Sequence, residues 1–155
     1  MKQNHSGMSI IAGLTFIIIT ILMCGPSIAT ECIVDAIVDG DTVKCSKQRI
    51  RLSDIDAPEK KQKFGAESTR FLANLVNGKK ITYNSNKKDM YGRTIARIYC
   101  GDIDVSLSLV QHGYAWAYYT KDKTIIEAQR QAKEQRLGLW RDKNAKAPWL
   151  YRKGK

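Results

Sequence analysis

The hydrophobic and polar positions change period along the chain, from short β-like runs to helical ones, and the changes mark out the expected elements. Residues 32–38, rich in Ile and Val, read as a strand, and 42–47 as its partner. Asp39-Gly40-Asp41 between them is a turn signal. A third strand is expected over 48–52, followed by a loop over 54–58, because Pro58 disfavours helical backbone at Ala57. Residues 64–76 place Phe64, Phe71, Leu72, Leu75 and Val76 on one helical face, with Gly78 as the stop. Two more strands are expected over 80–83 and 94–99. Asp104 can cap a short helix through Val105, Leu109 and Val110, closed by Gly113. A third helix opens at Asp122 or Thr124, with Thr124 and Glu127 spaced as a capping box, and ends near Gly138. The predicted fold is mainly β (α+β): a small five-stranded barrel with three packed helices.

The first residues do not belong to that pattern. Lys2 and His5 sit in a short polar head, an almost wholly apolar run follows over 10–23, and Ser27 and Ala29 form a small-residue exit. Residues 1–29 are expected to be a cleaved signal peptide and 30–155 a single domain of 126 residues. An uncleaved anchor is the competing reading, but the run is short against the roughly 20 residues of a spanning helix. Cys24 offers a lipoprotein reading, disfavoured because Leu22 and Met23 are not the small residues such a site uses. The expectation is a secreted or periplasmic monomer with no stable membrane association after cleavage.

Formal net charge is +11, and the leader contributes only Lys2, so the domain stays near +10. Such a charge suits a polyanion partner, because lysine and arginine neutralise phosphates and release counterions. Solubility alone would also account for it. Cys32, Cys45 and Cys100 would survive cleavage. Their spacing matches no zinc site. Cys32 and Cys45 flank the first predicted hairpin and are the preferred pair, with Cys100 as competitor.

Candidate chemistry gathers between Val38 and Glu59. Asp-Gly-Asp or Asp54-Ile55-Asp56 alone would ordinarily be a solvated turn. Together, two acidic loops on neighbouring strands can place Asp41 and Asp56 on one hard cation, with a backbone carbonyl and waters completing its shell. Glu59 is positioned to hold or deprotonate an attacking water. Arg51 and Arg93 can grip a phosphate and stabilise a five-coordinate transition state. Of Trp116, Tyr118 and Tyr119, at least one should fill the core, while aromatics beside a basic groove stack on bases. With His5 in the leader, His112 alone remains, most simply as a helix cap or a surface residue, so chemistry built on paired histidines is disfavoured.

Val38-Asp39-Gly40-Asp41-Thr42, then Arg51-Leu52 with Asp54-Ile55-Asp56-Ala57-Pro58-Glu59, then Tyr91-Gly92-Arg93 in this order resemble the thermonuclease (staphylococcal or micrococcal nuclease) family. The resemblance spans Cys32 to about Trp149. It implies an OB-fold barrel of five strands with three helices, and Ca2+-dependent hydrolysis of DNA and RNA leaving 3′-phosphates; single-stranded or frayed DNA and RNA are the expected partners. By motif position it implies Asp41, Asp56 and the Ala57 backbone carbonyl as calcium ligands. Arg51, Glu59 and Arg93 become the catalytic trio, and Tyr91, Tyr118 and Tyr119 the substrate contacts. Ala57 stands where the secreted staphylococcal enzyme has threonine, and Met90 where it has lysine. The loop between Pro58 and Phe64 is shorter than in that enzyme. The endings Gly138-Leu139-Trp140-Arg141 and Pro148-Trp149-Leu150-Tyr151-Arg152 look more like homologues of Gram-negative bacteria and their plasmids. The alternative function is a non-catalytic OB-fold module binding single-stranded nucleic acid.

Overall fold

The computed structural model describes residues 29–85 and 87–154. In chain order these form β1 (Thr30–Ile33), β2 (Ala36–Asp39), β3 (Thr42–Cys45), β4 (Gln48–Leu52), β5 (Ile55–Asp56), α1 (Gly65–Val76) and β6 (Lys80–Tyr83). There follow β7 (Thr94–Ala96), β8 (Ile98–Cys100), β9 (Ile103–Asp104), α2 (Val105–Gln111) and β10 (Trp116–Ala117). Last come α3 (Lys123–Glu134), a 3-10 turn at Gly138–Arg141, and α4 (Pro148–Lys153). The leader expected at residues 1–29 lies outside the described residues except for Ala29, and so do Cys24 and His5. No helix among the described residues is long and apolar enough to cross a membrane.

The architecture is mixed α+β, with strand orders β1-β6-β8-β9, β2-β3-β4-β7 and β10-β5. Two expected strands are each broken because one stretch serves two neighbours. Past Ile33 the chain leaves β6 for β3: Val34 N–H donates to Lys79 O at 3.0 Å, and Asp35 N–H to Lys44 O at 2.8 Å. At Arg97 the chain likewise changes from β7, parallel to β4, to β8, antiparallel to β6. The sequence also failed to predict β5, which falls inside the loop expected over 54–58, and β9, β10 and α4.

Inward residues of the strands and the apolar faces of the helices meet in one core around Ile50, Leu52, Leu72, Ile81, Ile98 and Leu109. A smaller cluster of Trp116, Leu139 and Ala147, with Trp140 and Trp149 against it, fastens the C-terminal segment. Helix ends follow the chemistry of their caps. Asp104 accepts from Leu107 N–H, and Asp122 rather than Thr124 caps α3, accepting from Thr124 N–H at 2.8 Å. Glu127 is drawn away from the expected capping box by Arg130. Arg97 pairs with both Asp104 and Asp122, so one guanidinium joins two helix starts. His112 caps α2, its ring Nδ1 2.8 Å from Ser108 O. Of the competing pairings, Cys32 and Cys45 are bonded, with Cα atoms 6.0 Å apart, and Cys100 has no disulfide partner among the described residues.

Candidate active site

The two acidic loops are pressed together by a glycine. A Cβ on Gly40 would lie 2.8 Å from the Ala57 Cβ and 2.9 Å from the Ser68 Cβ, so only glycine lets this turn close on the Asp56 loop and α1. Across the contact, Ala57 N–H donates to Asp41 Oδ2 at 3.0 Å, and the Thr42 hydroxyl donates to Asp41 Oδ1 at 3.0 Å. Asp56 is drawn in by the β5–β10 ladder, in which it faces Trp116. Arg51, from β4, then touches both acids: Nη1 is 2.8 Å from Asp41 Oδ2, and Nη2 donates to Asp56 Oδ1 at 3.0 Å. The first contact is an ion pair without hydrogen-bond alignment, which leaves the buried Nη1 without a hydrogen-bond acceptor.

Both aspartates are buried, Asp56 at 1% exposure. Burial pushes the Asp56 carboxyl above its usual range, against hydrogen bonds and charge from Arg152 and Arg51. Asp39 is pushed up to about 6 by burial first and by the Asp41 charge second.

Glu59 stands on a loop knotted by Gln62. Gln62 N–H donates to Glu59 O at 2.8 Å, Glu59 N–H donates back to the Gln62 side chain at 3.1 Å, and the Gln62 amide reaches Lys146 O at 2.5 Å. Gly65 makes this fit possible, since a Cβ there would sit 2.0 Å from Glu59 O. The Glu59 carboxylate accepts from Arg152 Nη1 at 2.7 Å. Arg152 also bonds both oxygens of Asp56, at 3.2 and 2.8 Å. No role for Arg152 was foreseen from sequence; Pro148 at the first turn of α4 is the one local signal that a helix begins there.

Arg93 is brought to the cleft by the turn before β7. Its Nε donates to Asp89 Oδ2 at 2.7 Å, and its Nη1 lies 3.5 Å from the Thr42 hydroxyl. Desolvation pushes Asp89 up, but the hydrogen bonds from Arg93 and Tyr91 outweigh it and hold the carboxyl below the usual range. Asp89, like Arg152, was missed. The Tyr91 ring packs 5.6 Å from the Arg93 guanidinium, and Tyr118 and Tyr119 make a further aromatic wall. Trp116 is the core filler of its group. A cleft of about 790 Å³ is lined by Asp41, Arg51, Ala57, Glu59, Tyr91, Arg93, Tyr118 and Tyr119. Asp56 is joined to it through Arg51 and Arg152. All nine residues singled out from the sequence thus converge.

A mixed α+β domain with arginines, carboxylates and exposed tyrosines around one open cleft defines a class that handles phosphodiesters. Residues 49–142 match the family described as staphylococcal nuclease homologue. The chain is 37% identical over 144 residues to a Haemophilus influenzae protein named uncharacterized endonuclease, covering 88% of this chain and 81% of that one. It is 39% identical over 134 residues to the micrococcal nuclease of Shigella flexneri, covering 76% and 77%. A third relative, an uncharacterized endonuclease of Escherichia coli O157:H7, is 39% identical over 123 residues, covering 75% and 80%. The chain belongs to the staphylococcal nuclease family and is an endonuclease of the thermonuclease type.

Proposed function

We propose that this endonuclease is exported, depends on Ca2+, and cleaves DNA and RNA, preferentially single-stranded or frayed, to leave 3′-phosphate ends. The observation that carries the reading is that one guanidinium, Arg51, touches Asp41 and Asp56 together, within 3.0 Å of each.

The donor set fits a hard divalent cation. Arg51 and Arg152 link Asp41, Asp56 and Glu59 into one set, and among the described residues these three acids face two guanidiniums, which leaves one negative charge in surplus when all three are ionised. Burial raises the Asp39 and Asp56 carboxyls, and the Asp41 charge adds to both. Among the described residues no three His, Cys, Asp or Glu side chains form a ready-made cage. Asp41 and Asp56 would hold the ion, with the Ala57 carbonyl and water completing an oxygen shell. A bound calcium ion supplies Lewis-acid charge to the phosphate.

The chain's own groups do the rest. Arg51, whose buried Nη1 is a donor in reserve, and Arg93 grip the phosphate oxygens and oppose the charge that grows in the five-coordinate transition state. Glu59 orients the attacking water and takes its proton. Arg93 stabilises the departing 5′ oxygen, so the phosphate stays on the 3′ side. Tyr91 and Tyr119, both largely exposed, offer flat faces to unpaired bases, with Tyr118 behind them.

Three further parts of the reading have separate support. The Cys32–Cys45 bond and the leader pattern of residues 1–29 favour a secreted or periplasmic protein. We take it as a monomer, free of the membrane once the leader is removed. The sheets are read as one bent five-stranded OB barrel, because β1–β2 and β7–β8 each count as a single strand, and the pairings then run in a ring.

The test is denatured DNA incubated with the mature domain in Ca2+ and in chelator, with the product ends analysed. Calcium-dependent cleavage leaving 3′-phosphates is expected. Binding without cleavage by a folded sample in Ca2+, Mg2+ and Mn2+ would return the protein to the class of binding modules.

A further inference from the structure

Asp56 has no carboxylate oxygen free of arginine. Oδ1 accepts from Arg51 at 3.0 Å and Arg152 at 3.2 Å, and Oδ2 accepts from Arg152 at 2.8 Å. Arg152 takes Glu59 as well, at 2.7 Å. It thus occupies one proposed cation ligand and the water-holding carboxylate with a single planar fork.

The mounting of Arg152 matters as much as its contacts. The root of α4 is fastened by the Gln62–Lys146 bond, and its middle by the Tyr151 hydroxyl donating to Lys61 O at 3.2 Å and by the face-on contact of Trp149 with Tyr118. Arg152 is on the last turn, and its side chain is 41% exposed on the cleft rim. A fixed helix therefore carries a charged arm with room to turn. The family match ends at residue 142, so this arm lies outside the matched segment.

We propose that Arg152 is a latch that exchanges partners: it holds Asp56 and Glu59 when the site is at rest, and gives them up for a phosphate of the nucleic acid when the site loads. This rests on the calcium and substrate reading above. A cation and a guanidinium compete for the same Asp56 oxygens and repel each other, so Arg152 lowers the resting site's affinity for calcium. Once displaced, an unpaired guanidinium on a cleft rim binds best to a phosphate, which it can grip with two parallel N–H bonds. Nucleic acid gives the arm a new partner and thereby strengthens calcium binding, and the coupling is reciprocal. Arg152 is in this sense a positioning residue at rest and a substrate contact when loaded.

Calorimetric Ca2+ titration of the whole folded domain tests the exchange without measuring turnover. Arg152→Gln, in the absence of nucleic acid, is expected to bind Ca2+ about tenfold more tightly than the unsubstituted protein. A phosphorothioate oligothymidylate should tighten Ca2+ binding in the unsubstituted protein and do so less in Arg152→Gln. Arg152→Lys, which keeps the charge but loses the fork, should fall between. Asp41→Asn, run alongside, identifies the ion of this site by losing its binding. Equal or weaker Ca2+ affinity in a folded Arg152→Gln, while Asp41→Asn loses binding, overturns the latch and leaves the calcium reading standing. Calcium binding that is absent from every protein, or indifferent to Asp41→Asn, overturns the calcium reading and the latch with it.

Discussion

Trp149 lies against Tyr118, ring centroids 5.0 Å apart and planes inclined by 22°, so the C-terminal helix and the aromatic wall of the cleft form one surface. Tyr118 is tied in turn to the acidic loop, its N–H donating to Asp54 O at 2.9 Å. Trp149→Ala should weaken substrate binding, raising KM several-fold, and lower the melting temperature. The ring contact alone is worth about 1 kcal/mol beyond the area buried. Unchanged KM in the presence of a lowered melting temperature would confine Trp149 to a packing role.

Glu59 and Arg93 stand on loops, so their removal should spare the fold. Glu59→Ser is expected to lower kcat by about 10² to 10⁴, and Arg93→Gly by about 10² to 10³. Single-turnover cleavage of denatured DNA, beside circular dichroism of each variant, checks both. A folded variant with near-normal turnover would remove that residue from the mechanism.

Gly65 is a steric requirement of the Glu59 loop. A methyl group 2.0 Å from Glu59 O meets backbone and cannot be absorbed by a side-chain rotation. Gly65→Ala should cost about 1–3 kcal/mol of stability and displace Glu59, lowering kcat more than KM. Thermal melts and kinetics on the same preparation separate the two effects.

Acid should loosen the join between α2 and α3. Asp122 is held below the usual carboxylate range first by the hydrogen bond from Arg97, then by Thr124 N–H. Because the folded value lies below the unfolded 3.8, the contribution is present above about that pH and is lost as pH falls through the folded value. Asp122→Ala should melt lower than the unsubstituted protein near neutrality, and the gap should close on acidification. A gap that stayed constant to below pH 3 or so would place the effect elsewhere than the carboxylate.

Much of the site was legible because its residues are close in sequence or fall on turns with strong local chemistry. Asp41 follows a glycine that only a tight turn explains, Asp56 and Glu59 lie on either side of Pro58, and Arg51 lies between the two acidic loops in sequence. Arg152 was illegible for the opposite reason. It lies 93 positions from Glu59, and its place depends on a cluster of Trp116, Leu139 and Ala147 and on a buried glutamine. The breaks at Val34–Asp35 and at Arg97 were hidden similarly, since a change of hydrogen-bond partner leaves the hydrophobic period nearly intact. Phe64, expected inside the first helix, instead sits just before it in the left-handed region, φ +69°, where the Gln62 knot turns the chain. Even the two-residue strands β5 and β10 are tertiary products, too short to leave a periodic trace.

The Cys32–Cys45 bond gives the molecule a dependence on its surroundings. It closes a ring across 13 positions at the start of the β-structure, a constraint worth about 3 kcal/mol through the unfolded chain. Where thiols are kept reduced, the same polypeptide must fold without that closure and is less stable by about that amount. A chain oxidised after folding has begun gains the difference at once. Durability therefore follows the redox state of these two thiols, and a preparation made under reducing conditions lacks the closure.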